Sequence, residues 1–453
     1  MDSNSINLES EDSLVSHISL DSRSTILSQS SLKSSDTDKD SKATRLSNQT
    51  SIFSQESLNL DSLQTEFSLD QSTISEQSKS SDLASVLSFG LCQRKGIDGC
   101  NYRCIKTLQG LDGRIFSLYL SQASLYSGTD RSDIREWRLS DFSEVAKFGD
   151  GDGAVNALLA VGDNVITAHQ DRNIRVWTRA HAQTINPRHK LIATLPTMKN
   201  FLVTCLHPKN YVHVRRHRKS LWIKHSDTIS VLAKGPSDLL YSGSWDKTFK
   251  VWRLSDFKCL ESIAAHDDAI NALLVSSKNY VYTASADAKI KVWERNADYK
   301  HSLVAAVVGH KSAVNCLALS KNDSLLYSGS GDRSIMVWER EESAEHMVML
   351  GTLKGHCSAV LCLSAVANFL CSGSADKTIR FWRREPDNAH SCLAVLHGHV
   401  GPVKSVCARA ENDLSGAIVY SGSLDGQIKV WMLSLTKANG STSDIETQAL
   451  NFN

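Results

Sequence analysis

From Cys104 onward, apolar and polar positions alternate in short runs, and no stretch sustains a helical period. In one unit AVNCLALS is followed by LLYSGS, a polar turn around an Asp, and SIMVW. A further apolar run, such as MLGTLKGH or CLAVLHGH, precedes the next unit. Val, Ile and Tyr supply β-favouring side chains and turn residues punctuate them, so each unit predicts four short strands. The units end at Trp137, Trp177, Trp252, Trp293, Trp338, Trp382 and Trp431, at spacings of 40, 75, 41, 45, 44 and 49. All but one lie near the roughly 40–45 residues of a β-propeller blade. The expectation is an all-β fold, a seven-bladed β-propeller over residues 104–435.

Two segments stand outside the repeat. CIKTL (104–108) precedes the first unit and has no blade of its own. It is expected to supply the outer strand of the last blade, closing the ring and covering an open edge. The spacing of 75 adds about 30 residues beyond one repeat between units two and three. Either KLIATLP (190–196) or LWIK (221–224) can serve as the outer strand of blade two. LWIK is the favoured reading because it meets His225 directly, which makes about 180–219 a basic surface insertion.

The recurring unit resembles the WD40 repeat, over about residues 104–435. In that family a His, a Ser or Thr, the turn Asp and the terminal Trp form a hydrogen-bonded structural tetrad. The resemblance implies five sets here: His225, Ser242, Asp246, Trp252; His266, Thr283, Asp287, Trp293; His310, Ser328, Asp332, Trp338; His356, Ser372, Asp376, Trp382; and His399, Ser421, Asp425, Trp431. Unit two keeps Thr167, Asp171 and Trp177 but has Gly151 at the His position. Unit one keeps Ser127 and Trp137 but has Leu111 and Arg131 for His and Asp. Buried polar groups need partners, so these two blades are expected to rest more on apolar packing and to be softer. A Ser-rich N-terminus, a CI-x-TL-x-G opening and a basic segment leading to RRHRKSLWIKH resemble plant Jingubang-like WD40 proteins. That resemblance implies a regulatory protein acting through protein contacts.

Charge divides the chain. Of 50 Lys plus Arg and 49 Asp plus Glu, residues 1–90 hold 6 and 14, a net of −8. The same stretch has 27 Ser and no Trp, Tyr, Pro or Cys, with isolated Leu and Ile between Ser and Asp. Burial there cannot offset an ordering cost of about 1–2 kcal/mol per residue, so 1–95 is expected to be a disordered acidic tail. Residues 436–453 are expected to form a flexible C-terminal tail. Ser34, Ser35 and Thr37, in SSDTDKD, resemble sites of acid-directed kinases, and phosphates there would dock on a basic surface. No apolar run approaches about 20 residues, and the start lacks a secretory layout. Eleven Cys follow no framework spacing. The expectation is a soluble protein of cytoplasm and nucleus with reduced thiols.

Candidate chemistry is sparse. GxxxxGK[ST], HExxH and G-x-S-x-G are absent. FGDGDGAV at 148–155 precedes a strand rather than a helix and reads as a plain loop. Cys92, Cys100 and Cys104 are spaced irregularly for zinc, and Cys357 with Cys362 flank a strand. A His–Ser–Asp set recurring five times is structural, since a catalyst needs one. No enzyme activity, metal or cofactor is expected.

In WD40 proteins partners commonly meet the narrow top face, at positions three and five after the His and just before the turn Asp. Carried over by register, these yield a candidate patch of Arg114, Phe116, Trp245, Leu361, Lys404 and Leu424. Trp245 stands out because other units have Ala, Gly, Leu, Gln or Asp there, and aromatic residues are favoured hot spots. The contiguous Arg215, Arg216, His217, Arg218 and Lys219 read as a solvated loop, a nuclear-localisation patch, a dock for the acidic tail or a nucleic-acid contact. Nucleic acid is the weakest of these, because no aromatic stacking platform accompanies the cations. The leading functional reading is a monomeric, non-enzymatic scaffold for regulatory proteins, transcription factors among them, with no membrane contact. The alternative is a substrate receptor of a cullin-type ubiquitin ligase, whose Trp-Asp-x-Arg pattern is missing from WERE, WERN, WRRE and WTRA.

Overall fold

The computed structural model describes residues 94–95, 100–109, 111–149, 153–179, 189–215, 218–340, 347–386, 388–411 and 416–435. The expected tails, apart from Arg94 and Lys95, lie outside the described residues with their Ser34, Ser35 and Thr37, as do Gly151, Arg216 and His217.

Seven antiparallel blades follow one another, six of four strands and the last of five. Blade one is Ile115–Leu120, Ser124–Thr129, Ile134–Arg138 and Glu144–Phe148; blade three is Ile229–Lys234, Leu239–Ser244, Thr248–Arg253 and Lys258–Ala264. The first strands contact one another in sequence from blade one to blade seven and back to blade one, so they line the axis of a closed ring. Second strands, of the LLYSGS type, are almost wholly buried, whereas outer strands such as Glu144–Phe148 are half exposed. Gly373 in one second strand shows why small residues recur there: a Cβ would come within 2.7 Å of Val403 on the next blade. In all seven blades the residue after the turn Asp, or its equivalent, has φ between 63° and 78°, and only Gly426 among them is a glycine.

The core is divided by blade interface. Seven apolar clusters each join two adjoining blades, and each contains the terminal Trp of the later one. Trp382 of blade six, for example, packs with Leu325, Tyr327 and Val337 of blade five. One Trp per repeat therefore seals one interface, which accounts for the period read in the sequence.

Ring closure follows the sequence expectation and is longer than CIKTL. Cys100–Leu108 pairs antiparallel with Ile428–Leu435 of the last blade, and Arg94–Lys95 pairs outside it. The tail boundary at 95 and the propeller start at 104 are thereby moved N-terminally.

Blade two corrects the sequence reading. Its outer strand is His189–Leu195, paired with Ile174–Arg179, and not LWIK. A seven-residue run can match the length of Ile174–Arg179, whereas LWIK offers only Leu221 to a strand before the chain turns. Leu221 and Ile223 instead plug the core between blades two and three. The insertion accordingly begins after Leu195 rather than near 180. It holds a helix, Met198–Cys205, a short 3-10 turn, Pro208–Asn210, and a hairpin, Tyr211–Arg215 with Arg218–Leu221.

Candidate partner-binding rim

In blades three to seven the His approaches the turn Asp through Nδ1 and the Ser or Thr hydroxyl through Nε2. In blade six, His356 Nδ1 is 2.8 Å from Asp376 Oδ2 and its Nε2 is 2.8 Å from Ser372 Oγ, which also accepts from Trp382 Nε1 at 2.9 Å. The sets around His225, His266, His310 and His399 repeat this geometry at 2.8–3.0 Å. The five hydroxyl-bearing residues are fully buried, so each oxygen is occupied and beyond a substrate's reach. Burial alone would raise the Asp425 carboxyl, but His399 and the amides of Gln427 and Val400 hold it down to about 2. The tetrads thus lock the turns that carry the rim and leave no activated nucleophile.

Above each locked turn, one backbone bond joins the residue before the Asp position to the residue that begins the inner strand region. Asp130 donates to Arg114, Gln170 to Ala154, Trp245 to Thr228, Ala286 to Ala269, Gly331 to Ala313, Ala375 to Ala359 and Leu424 to Pro402, all at 2.9–3.1 Å. Arg114, Trp245 and Leu424 therefore stand on one sevenfold rim. Arg114 is exposed, while Trp245 and Leu424 are half-buried. Trp245 has no side-chain hydrogen bond or ring contact among the described residues.

The position five after the His has a different job in much of the ring. Asn156 Nδ2 donates to Ile229 O, Ser230 Oγ to Ile270 O, Asn271 Nδ2 to Val314 O and Asn315 Nδ2 to Val360 O. Each bond pins one inner strand to the next. Where that position holds Leu361, Lys404 or Phe116, the following residue takes over: Cys362 Sγ reaches Val403 O, Ser405 Oγ accepts from Leu118 N, and Ser117 Oγ donates to Val155 O. Blades six, seven and one thus present three half-buried side chains released from this annulus. Lys404 is crowded by protein: burial lowers its ammonium pKa, opposed by the Cys362 and Cys316 thiols. The patch divides into five residues on adjoining blades six, seven and one, and Trp245 on blade three beyond blade two.

The repeat architecture has matches among known proteins. The family model "WD domain, G-beta repeat" matches residues 218–253, 257–294, 301–339, 347–383 and 390–432. The chain thus carries five WD40 repeats within residues 218–432. Similar solved structures include one described as the crystal structure of RRP9 WD40 repeats, at 17% identity and a TM-score of 0.56, covering 76% of this chain and 100% of that one. Another, described as the structure of U3-55K, has 18% identity and a TM-score of 0.56, covering 73% and 98%. At these identities the likeness concerns the fold. Comparison with curated proteins returns no match.

The first two blades of this WD40 propeller lie outside the matched residues, and each solves the missing tetrad differently. In blade one, Leu111 packs beside the cluster of Leu108, Leu125 and Trp137, as apolar packing was expected to do, and Trp137 Nε1 donates to Ser127 Oγ at 3.0 Å. In blade two an imidazole is supplied from within the strand: His169 Nε2 lies 2.7 Å from Thr167 Oγ1, which accepts from Trp177 Nε1 at 3.0 Å. Sequence reasoning missed His169. Its signal was present, because NVITAH puts a His where five units place Ser and the first places Thr. Burial, and then Arg175, draw its pKa down to about 4 against the pull of Asp171. Of the basic segment, Arg215 pairs with Arg218 in the backbone register of the insertion hairpin.

Proposed function

We propose that the chain is a non-enzymatic scaffold whose rim captures a regulatory protein, as part of a plant regulatory pathway like that implied by the Jingubang-like resemblance. WD40 propellers generally bind proteins and are usually non-catalytic. Among the described residues no helix is long and apolar enough to cross a membrane. The observation that carries the reading is Trp245. Seven blades share one backbone hydrogen bond at this rim, yet only blade three puts an indole there, half exposed and unpartnered among the described residues. Packing does not require it, since Ala286, Gly331 and Ala375 fill the equivalent place. An aromatic ring offers a partner a large apolar contact at small entropic cost. Arg114 and Phe116 on one side, with Leu361 and Leu424, extend the surface.

The test is affinity purification from cells with mass spectrometry, comparing wild type and Trp245→Ala. Partners lost from the variant, with an unchanged melting temperature, support the rim. Equal recovery of every partner removes Trp245 and the rim site with it.

A further inference from the structure

We infer that the insertion between blades two and three carries a second docking surface, shaped for an acidic amphipathic helix of a partner protein. The helix Met198–Cys205 is capped by Thr197, whose side chain accepts from Asn200 N at 3.3 Å. Asn200 Nδ2 donates to Phe257 O at 3.1 Å, and Phe201 and Cys205 pack against the core between blades two and three. One side of the helix is therefore anchored. The other is apolar and bare: Met198 is 72% exposed, Leu202 56% and Leu206 76%, with Val203 beside them at 61%. Met198, Leu202 and Leu206 recur every fourth residue, a ridge about 12 Å long that fits the groove of another helix. Asn210 Nδ2 bonds Thr204 O at 2.8 Å and Tyr211 Oη bonds Cys205 O at 3.4 Å, so exposed Tyr211 and Val212 continue the surface from the helix end.

Charge selects the partner. Between Asp171 and Asp227 the chain has 12 Lys and Arg and no Asp or Glu. Lys199, Lys209 and Lys219 are exposed around the ridge. Carboxylates flanking an apolar stripe complement this arrangement, while like-charged partners are repelled. An apolar ridge gives nothing to a nucleic-acid backbone. A lipid surface is the poorer fit because Phe201 and Trp222 pack inward, which leaves Tyr211 as the one exposed Phe, Tyr or Trp ring among the described residues of the insertion.

The test uses the full chain and a synthetic peptide with Leu at helical i, i+3, i+4 and i+7 positions and Glu elsewhere, followed by fluorescence anisotropy. Saturable binding is expected to weaken about tenfold or more in Leu202→Asp/Leu206→Asp and in Lys199→Glu/Lys209→Glu/Lys219→Glu, and with added salt. All substituted positions are exposed, and Leu202→Ser provides a milder variant should the double change disturb folding. A peptide of equal composition with Leu scattered, and one with Lys for Glu, are expected not to bind. Equal binding of the scattered peptide, or no change in either variant, overturns the proposal. Capture by phosphatidylserine vesicles in place of the peptide, lost in the Leu variant, reassigns the surface to lipid. Absent peptide binding with slow amide exchange at 198–206 in the isolated chain means its own residues cover the ridge, which also overturns it.

Discussion

Blades three to seven and blades one and two carry the same strands, but they close their turns in different ways. The later five use a His from the preceding connection, held between an Asp and a buried hydroxyl. Blade two turns a His of its own second strand onto Thr167, and blade one fills the gap with Leu111. What all seven share is the Trp whose indole donates to the buried hydroxyl and whose ring seals the interface with the preceding blade. The interface seal is thus the part no blade does without. The imidazole is one of several ways to satisfy the hydroxyl beneath it.

The most damaging change strikes what both groups depend on, the closed ring. A chain beginning at Gly110 loses Cys100–Leu108, with buried Cys100, Tyr102 and Leu108. Each large buried side chain is worth about 1.5–3 kcal/mol, so the loss rivals a typical total stability of about 5–15 kcal/mol. Calorimetry is expected to show no cooperative transition, where a chain beginning at Ser88 melts as one unit. Matching melts would mean that the ring does not need this strand.

Hydroxyl deletions separate the two groups directly. Ser372→Ala orphans both His356 Nε2 and Trp382 Nε1, for an expected cost of about 2–4 kcal/mol. Ser127→Ala in blade one orphans Trp137 Nε1 alone and is expected to cost about 1–2 kcal/mol. Equal losses in urea titrations would show that the tetrads add nothing beyond the Trp bond.

Acid sharpens the contrast within the pair. His169 has its folded pKa depressed to about 4, below the unfolded value of about 6.5. The unfolded chain therefore binds the proton more readily, and the stability contributed by neutral His169 is complete above about pH 6.5 and lost as pH falls towards 4. Amide exchange in blade two is expected to accelerate over that window, and the acceleration to shrink in His169→Gln. A slope unchanged by the substitution would assign it to other groups. The smallest stability effect belongs to Trp245→Ala: a half-exposed ring costs under about 1 kcal/mol to remove, while partner capture is expected to fail.

Much of this was readable in the chain because it is local or periodic. Trp spacing announced seven blades, and the orphan run at 104–108 announced how the ring closes, since a strand without a blade must pair with the one open edge. The blade-two outer strand was not readable in the same way. KLIATLP and LWIK both look like strands, and the choice turned on which could run the length of Ile174–Arg179. The rim patch was read by register, and register cannot say which side chains a neighbouring blade will occupy. Asn156, Ser230, Asn271 and Asn315 are committed to carbonyls of the next inner strand, while Phe116, Leu361 and Lys404 are not.

The sequence by itself determined the repeat, the blade number, the closing strand and the residues that can form the tetrads. These follow from alternation and fixed spacing within one unit. Only the tertiary structure decided that Asn156, Asn271 and Asn315 are spent on carbonyls of the next inner strand, and that Met198, Leu202 and Leu206 stand uncovered. Each of those depends on atoms brought together from different repeats or held against a neighbouring blade, and no period along one strand encodes such a meeting.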